Sequence, residues 1–247
     1  MFITRNLLYR DTRYFLCNNI AYIVLIVCFT TFFTMFLDTL ITPDIKKISF
    51  LYEVTPKNFS LLLDIIKNMN IEQKNILLQS CISKIFSSLI NNTLLVGSTI
   101  SLITILSSGK KITLSLFFSI LKKLFNNLLI LTFILILILK ISFICFIIPG
   151  ILISTLLSLS PIILCMERSS ILKSMLSSIY IVRKRFKIIF PSVSLCLFLK
   201  FLCLSIPFFY DLSHIHMIFL FFFFTQNLIT LALIIYLSRF YMLFRIS

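Results

Sequence analysis

The stretch LLILTFILILILKISFICFII, residues Leu128–Ile148, decides the fold class of this chain. Its length is close to the roughly 20 residues that an α-helix needs to cross a lipid bilayer. Apolar and polar residues do not alternate along it, as they would in a strand of a membrane barrel. Since lipid offers no hydrogen-bond partner to an exposed backbone, the stretch predicts a transmembrane α-helix.

The composition extends this prediction to the whole chain. Hydrophobic residues make up 60% of the 247 residues and charged residues 13%, whereas about 25% of the residues of a soluble domain are charged. We therefore predict an all-α, polytopic membrane helix bundle of about six transmembrane helices, forming a single domain over residues 1–247. The predicted spans are 20–41, 85–106, 128–148, 151–166, 188–209 and 215–237.

The connections between the predicted spans differ in character. Residues 42–84 are predicted as an outer amphipathic loop, inside which Asn70 followed by Gln73 is typical of a helix cap. A helix that begins there could run on into the second span. Pro149 and Gly150 predict a tight hairpin turn between the third and fourth spans, because proline lacks a donor and glycine permits a tight turn. The second span is the weakest prediction, because polar and small residues dilute it: Asn91, Asn92, Thr93, Gly97, Ser98 and Ser101.

The distribution of basic residues predicts the orientation. With six spans, both termini lie on one side, together with fifteen of the basic residues. Six basic residues lie on the other side, all of them in the loop 42–84. Because Lys and Arg accumulate on the cytoplasmic side of membrane proteins, we predict that both termini are cytoplasmic.

The net charge of +15 is therefore explained by topology, and we expect membrane lipids rather than nucleic acid as a partner. The seven cysteines form no CxxC pair and have no metal-ligand spacing with histidine, so we expect neither a metal site nor a cofactor. No nucleophile elbow, zinc-protease or P-loop motif is present. We expect a protein without enzymatic activity, although a lipid-modifying enzyme remains open.

Two features of the predicted spans and loops have alternative interpretations. Lys140 and Lys200 lie inside predicted spans, where a charge is costly and suggests a functional site. They are either lysines that extend toward the membrane surface or contact other helices, or parts of a substrate or ion path. The basic segment Ser169–Lys187 is either an interfacial helix on the anionic inner leaflet or an ordinary positive-inside loop.

Four stretches together resemble a known family: Leu8–Asp11, Leu94–Gly109, Ile148–Pro161 and Tyr236–Arg245. They are similar to the YciC family of uncharacterised bacterial inner-membrane proteins over almost the whole chain. The resemblance implies a multi-pass protein of the bacterial cell inner membrane, here from an AT-biased, endosymbiont-like genome. It implies no established activity, so no site residue follows from it.

Two functional hypotheses follow from the sequence. The first is a non-enzymatic, membrane-embedded protein that binds partners or supports the cell envelope. The alternative is a small solute transporter or channel that uses Lys140 and Lys200. The sequence does not predict an oligomeric state.

Overall fold

The computed structural model of the protein describes residues 5–41, 70–107, 109, 113–205 and 215–246. The described part is 94% helical and contains no strand. Six of its helical segments are long and apolar enough to cross a membrane. The predicted fold class, an all-α bundle of about six transmembrane helices, is confirmed.

Nine helices lie within the described residues. They are α1 (Arg5–Asn18), α2 (Ile20–Ile41), α3 (Ile71–Ser107), α4 (Leu114–Cys145), α5 (Ile147–Leu157), α6 (Ser160–Glu167), α7 (Ile171–Lys184), α8 (Phe186–Ser205) and α9 (Ile215–Ile246). Together, α5 and α6 make up one candidate span, Ile147–Glu167. Most of the helices differ from the predicted spans at their ends, because several continue beyond the apolar run that marks the bilayer.

Helix α3 contains the second predicted span and extends well beyond it. The Asn70 backbone N–H donates a hydrogen bond to Gln73 Oε1 at 3.1 Å, so the predicted cap is present. The 37 residues of α3 measure about 55 Å at about 1.5 Å per residue, which exceeds the roughly 30 Å of a hydrocarbon core. Residues 71–84, which were predicted as part of the outer loop, belong to this helix. Residues 42–69 lie outside the described residues.

The same helix occupies the centre of the bundle. It packs against α2, α4 and α9, and 67% of its most apolar window is buried, compared with 22% for α4. The polar and small residues that weaken its hydropathy face other helices: Ser83, Ser87, Thr93, Gly97, Ser98, Thr99 and Ser101 are buried. Small residues let helices approach closely in a membrane, so low hydropathy here marks an interior helix.

The chain folds back between α4 and α5, but Pro149 and Gly150 do not form the turn. Helix α4 ends at Cys145, Phe146 is extended, and α5 begins at Ile147. Because a proline is tolerated in the first helical turn, where no intrahelical donor is needed, Pro149 fits the start of α5. The predicted turn is thus displaced to Phe146.

Gly150 allows a close approach instead of a turn. It is buried in α5, and a Cβ atom added there would lie 2.5 Å from Cδ1 of Phe143 on α4. The absence of a side chain at Gly150 therefore lets α5 fold back tightly on the end of α4.

Candidate functional site

The two lysines predicted inside the spans lie on different helices. Lys140 is exposed on α4, about 8 Å before the end of that helix at Cys145, taking about 1.5 Å per residue. Lys200 is half-buried on α8, which the structure describes as far as Ser205. Because α4 and α8 do not pack closely against each other, the structure does not bring the two lysines into one site.

Polar side chains of three spans meet in the interior of the bundle. Thr34 Oγ1 on α2 donates to Asn91 Oδ1 on α3 at 2.8 Å. Asn91 Nδ2 donates to Asn227 Oδ1 on α9 at 3.0 Å, and Asn227 Nδ2 donates to Thr31 Oγ1 on α2 at 3.2 Å. We call Thr31, Thr34, Asn91 and Asn227 the asparagine cluster. It is a chain of interhelical hydrogen bonds that fixes α2, α3 and α9 against one another.

A second polar contact connects α3 to α4. The hydroxyl oxygens of Thr93 and Thr132 lie 2.7 Å apart, and both side chains are buried. Helix α3 is thus hydrogen-bonded through its side chains to three neighbouring helices. These polar groups satisfy one another between the helices.

The asparagine cluster was not predicted from the sequence. Asn91 weakens the apolar run of the second span, and no feature of the sequence pairs it with Asn227. The available signal was an amide side chain inside each of two apolar runs, because polar residues in a span usually face the bundle interior.

One end of the bundle carries α1, α7 and the last turns of α9, and we call it the basic end. Asp11 Oδ2 on α1 lies 3.9 Å from Arg239 Nε on α9. The guanidinium carbon of Arg239 lies 4.4 Å from the centre of the Phe15 ring. The Tyr241 hydroxyl donates a hydrogen bond to the Glu167 carboxylate. The two carboxylates that the described residues place at this end are therefore both engaged with α9.

Helix α7 has two unlike faces at the basic end. Ser174 and Ser178 are fully buried, and Ser178 Oγ donates to the Leu156 carbonyl oxygen of α5 at 2.6 Å. Large apolar side chains are exposed on the other face: Leu172 (73%), Leu176 (68%) and Tyr180 (67%). The segment that the sequence left open between helix and loop is thus an α-helix, held by two small residues against the bundle.

The described residues contain no group of three or more His, Cys, Asp or Glu side chains that could hold a metal ion. All seven cysteines are free. Cys165 and Cys196 are buried among the helices, where a thiol behaves as a small apolar group.

Comparison with known proteins identifies the family. The model of the uncharacterised protein family UPF0259 matches residues 1–243. A UPF0259 membrane protein of Buchnera aphidicola subsp. Acyrthosiphon pisum (strain APS) is 39% identical over 242 residues, covering 98% of both chains. One from Buchnera aphidicola subsp. Baizongia pistaciae (strain Bp) is 39% identical over 247 residues, covering 98% of this chain and 97% of the relative.

A more distant relative is a UPF0259 membrane protein of Yersinia pestis (strain Pestoides F). It is 32% identical over 247 residues, which cover 98% of this chain and 96% of the relative. No solved structure matches the chain. The resemblance to the YciC family is consistent with this result and is confirmed. Six apolar helices and full-length similarity to membrane proteins thus agree, and the chain belongs to the UPF0259 family of membrane proteins.

Proposed function

We propose that the protein acts without catalysis in the bacterial inner membrane, as a partner-binding or envelope-support protein with both termini in the cytoplasm. The observation that carries the proposal is the distribution of polar groups. Inside the bundle they hydrogen-bond to one another, as in the asparagine cluster. On the surface, exposed basic side chains gather at one end.

The charges of the basic end support a cytoplasmic placement. Of the exposed basic side chains in the described residues, ten lie at this end: Arg10, Arg13, Lys122, Lys123, Arg168, Lys173, Arg183, Lys184, Lys187 and Arg245. Toward the opposite end the described residues have two exposed basic side chains, Lys84 and Lys140, and two half-buried ones, Lys74 and Lys200. This asymmetry follows the positive-inside rule. Spans built from helices rather than barrel strands favour the inner membrane.

The same charges suggest the chemistry of a partner. Asp11 and Glu167 are engaged with Arg239 and Tyr241, so they do not form an acidic patch that would repel an anionic surface. A surface rich in one sign of charge attracts partners of the opposite sign. The basic end is therefore suited to acidic partners.

The transporter alternative rests on Lys140 and Lys200, which lie on helices that do not pack closely together. Lys140 is also exposed and within one or two turns of a helix end, as expected of a lysine that extends to the membrane surface. We expect a Lys140→Leu/Lys200→Leu variant to insert and to remain as stable as the parent. Reconstituted parent protein that transports a solute, with transport abolished in this variant, would replace our proposal by the alternative.

Photo-crosslinking in intact cells tests partner binding. A photoreactive residue at Arg13 reports on the basic end, and one at Ile82, which is 64% exposed on α3, reports on the opposite end. We expect a reproducible protein or lipid adduct at Arg13 that is weak at Ile82. Equal adducts at both positions, or none at Arg13, would contradict the proposal.

The cytoplasmic placement has its own test. A C-terminal reporter that is active only in the cytoplasm should be active, and one that is active only in the periplasm should be inactive. The reverse pattern would overturn the orientation and leave the crosslinking result intact.

A further inference from the structure

We propose that α7 and the basic residues at its C-terminal end bind the anionic phospholipids of the cytoplasmic leaflet. The inference deepens the proposed function, since it names one partner of the basic end and rests on the cytoplasmic placement of that end. It is carried by three features: an exposed apolar stripe, a basic corner at the edge of a span, and a stretch of sequence without carboxylates.

The apolar stripe is the first feature. Leu172, Leu176 and Tyr180 recur every four residues, so they form one line along α7. Each is more than half exposed, whereas the outward face of a surface helix in water is usually polar. The line lies opposite Ser174 and Ser178, which fix α7 to the bundle.

The neighbouring surface indicates what covers this stripe. Helix α7 packs against α5 and α6 and contacts α8 where the two helices join, and all three of these neighbours belong to candidate spans. They expose large apolar side chains of their own, including Leu152, Leu195 and Phe198. The stripe thus lies on a helix that is attached directly to candidate spans with exposed apolar surfaces, and acyl chains are its expected occupant.

The basic corner is the second feature. Arg183 and Lys184 end α7, Arg185 forms the turn, and Lys187 lies in the first turn of α8. The candidate span of α8 begins at Phe186, so we place these side chains at the edge of the hydrocarbon. There they can reach the adjacent layer of phospholipid phosphates, which attract Lys and Arg.

Arg185 contributes a donor that no protein group uses. Its Nε atom is buried and makes no hydrogen bond within the part of the chain that the structure describes. Buried polar atoms are generally hydrogen-bonded, and a guanidinium group binds phosphate oxygens well. A headgroup phosphate at the corner between α7 and α8 would satisfy it.

The third feature is the lack of competing negative charge. From Arg168 to Ser205 the sequence contains neither Asp nor Glu. Glu167, just before this stretch, accepts the hydrogen bond of Tyr241 on α9. The positive charges of α7 therefore have no carboxylate on their own helix or on α8, and an external anion is free to pair with them.

The chain contains no tryptophan, which allows a clean fluorescence test. Leu176→Trp places a single reporter on the stripe. Leu114→Trp is the matched control, since Leu114 is also a highly exposed leucine (75%), but it lies at the start of α4. The full-length variants are reconstituted into vesicles of phosphatidylcholine and phosphatidylglycerol with brominated acyl chains. We expect Leu176→Trp to be quenched several-fold more than Leu114→Trp. Quenching of Leu176→Trp as weak as that expected of Leu114→Trp would overturn the inference, because α7 would then face water or protein.

Selectivity for anionic headgroups is tested separately. We expect native mass spectrometry of the purified protein to show phosphatidylglycerol enriched over phosphatidylcholine. Lys173→Gln/Arg183→Gln/Lys184→Gln should reduce that enrichment several-fold. Lys122→Gln/Lys123→Gln/Arg245→Gln removes the same charge elsewhere on the basic end and should retain most of it. Equal enrichment in the two triple variants would refute a site on α7.

Two further results are informative. One distinguishes a lipid headgroup from free phosphate, and the other distinguishes failure of lipid binding from failure of the proposed orientation. Millimolar inorganic phosphate should not displace the lipid, and displacement would mean that the corner binds free anions instead. If the protein shows no lipid selectivity, the lipid proposal fails, but the cytoplasmic orientation measured with the reporter fusion still stands. A periplasmic C-terminus, in turn, would overturn the proposed orientation whether or not the lipid binds.

Discussion

Asn91 is the central residue of the asparagine cluster, because its amide bonds to both Thr34 and Asn227. Interhelical hydrogen bonds within a membrane contribute on average about 0.6 kcal/mol and at most about 1.7 kcal/mol each. Asn91→Leu removes two of them and leaves the Asn227 carbonyl without its donor. We therefore expect the free energy of unfolding to fall by about 1–2 kcal/mol, measured by titration with a denaturing detergent.

Asn92 provides the control for this prediction. It is half-buried on the same helix, and its side chain bonds to Ser88 one turn earlier rather than to another helix. Asn92→Leu should change the free energy of unfolding by less than Asn91→Leu. A larger loss for Asn92→Leu would show that the cluster does not stabilise the bundle.

Substitution of Gly150 by alanine tests the close contact between α4 and α5. Alanine at this position would bring a methyl group within 2.5 Å of the Phe143 ring. Overpacking of this kind typically lowers the free energy of unfolding by about 1–3 kcal/mol. We expect Phe143→Ala in the Gly150→Ala background to recover part of the loss in a double-mutant cycle. Additive losses would mean that the cost of Gly150→Ala does not arise from its contact with the Phe143 ring.

For single residues, the sequence identified charged side chains in apolar runs more readily than polar side chains that pair across helices. Lys140 and Lys200 stand out because each is a charge in an apolar run, but the structure places them on helices that do not pack closely. Asn91 and Asn227 stand out much less, and they acquire a role only because α3 and α9 are neighbours. Residue periodicity does not specify which helices are adjacent, so this pairing could not be predicted.

Helix α1 is held against α9 by a small set of side chains, and its attachment can be tested as a unit. Arg239 lies over the Phe15 ring and beside Asp11. The cation–π contact contributes about 0.5–2 kcal/mol and the partly exposed ion pair at most about 1 kcal/mol. Arg239→Leu should therefore loosen α1 and speed tryptic cleavage after Arg10 and Arg13 several-fold.

The control for the α1 prediction lies on the same helix as Arg239. Arg245 is exposed in the last turn of α9, and Arg245→Leu removes an equal charge. We expect cleavage of this variant at the parental rate. Equal acceleration in both variants would indicate a general effect of charge rather than release of α1.

Some helix boundaries followed from local chemistry and others did not. The cap at Asn70 and Gln73 was predictable, because both partners lie within one turn of the chain. The turn after α4 was displaced to Phe146, because Pro149 is equally acceptable in a turn and in the first turn of a helix. Local sequence indicates a break there, while packing of Gly150 against Phe143 sets where α5 begins.

At the scale of the whole molecule, hydropathy predicted the number of candidate spans but not their arrangement. Helix α3 was the weakest predicted span and is the most buried of the six candidate spans. Its serines and threonines lower its hydropathy because they face other helices and not lipid. The low hydropathy of α3 therefore reflects its central position in the bundle.

The crossing of α3 determines the topology of the whole chain, and cysteine labelling can test it. Cys81 is exposed on α3, about 39 Å from the end of that helix at Ser107 at about 1.5 Å per residue, and so beyond a hydrocarbon core of roughly 30 Å. In single-cysteine variants, an impermeant maleimide should label Cys81 in intact spheroplasts. Cys17 on α1 and the variant Arg245→Cys on α9 should react only after permeabilisation. Labelling of Arg245→Cys but not of Cys17 from outside would mean an odd number of crossings, because the two termini would then lie on opposite sides of the membrane.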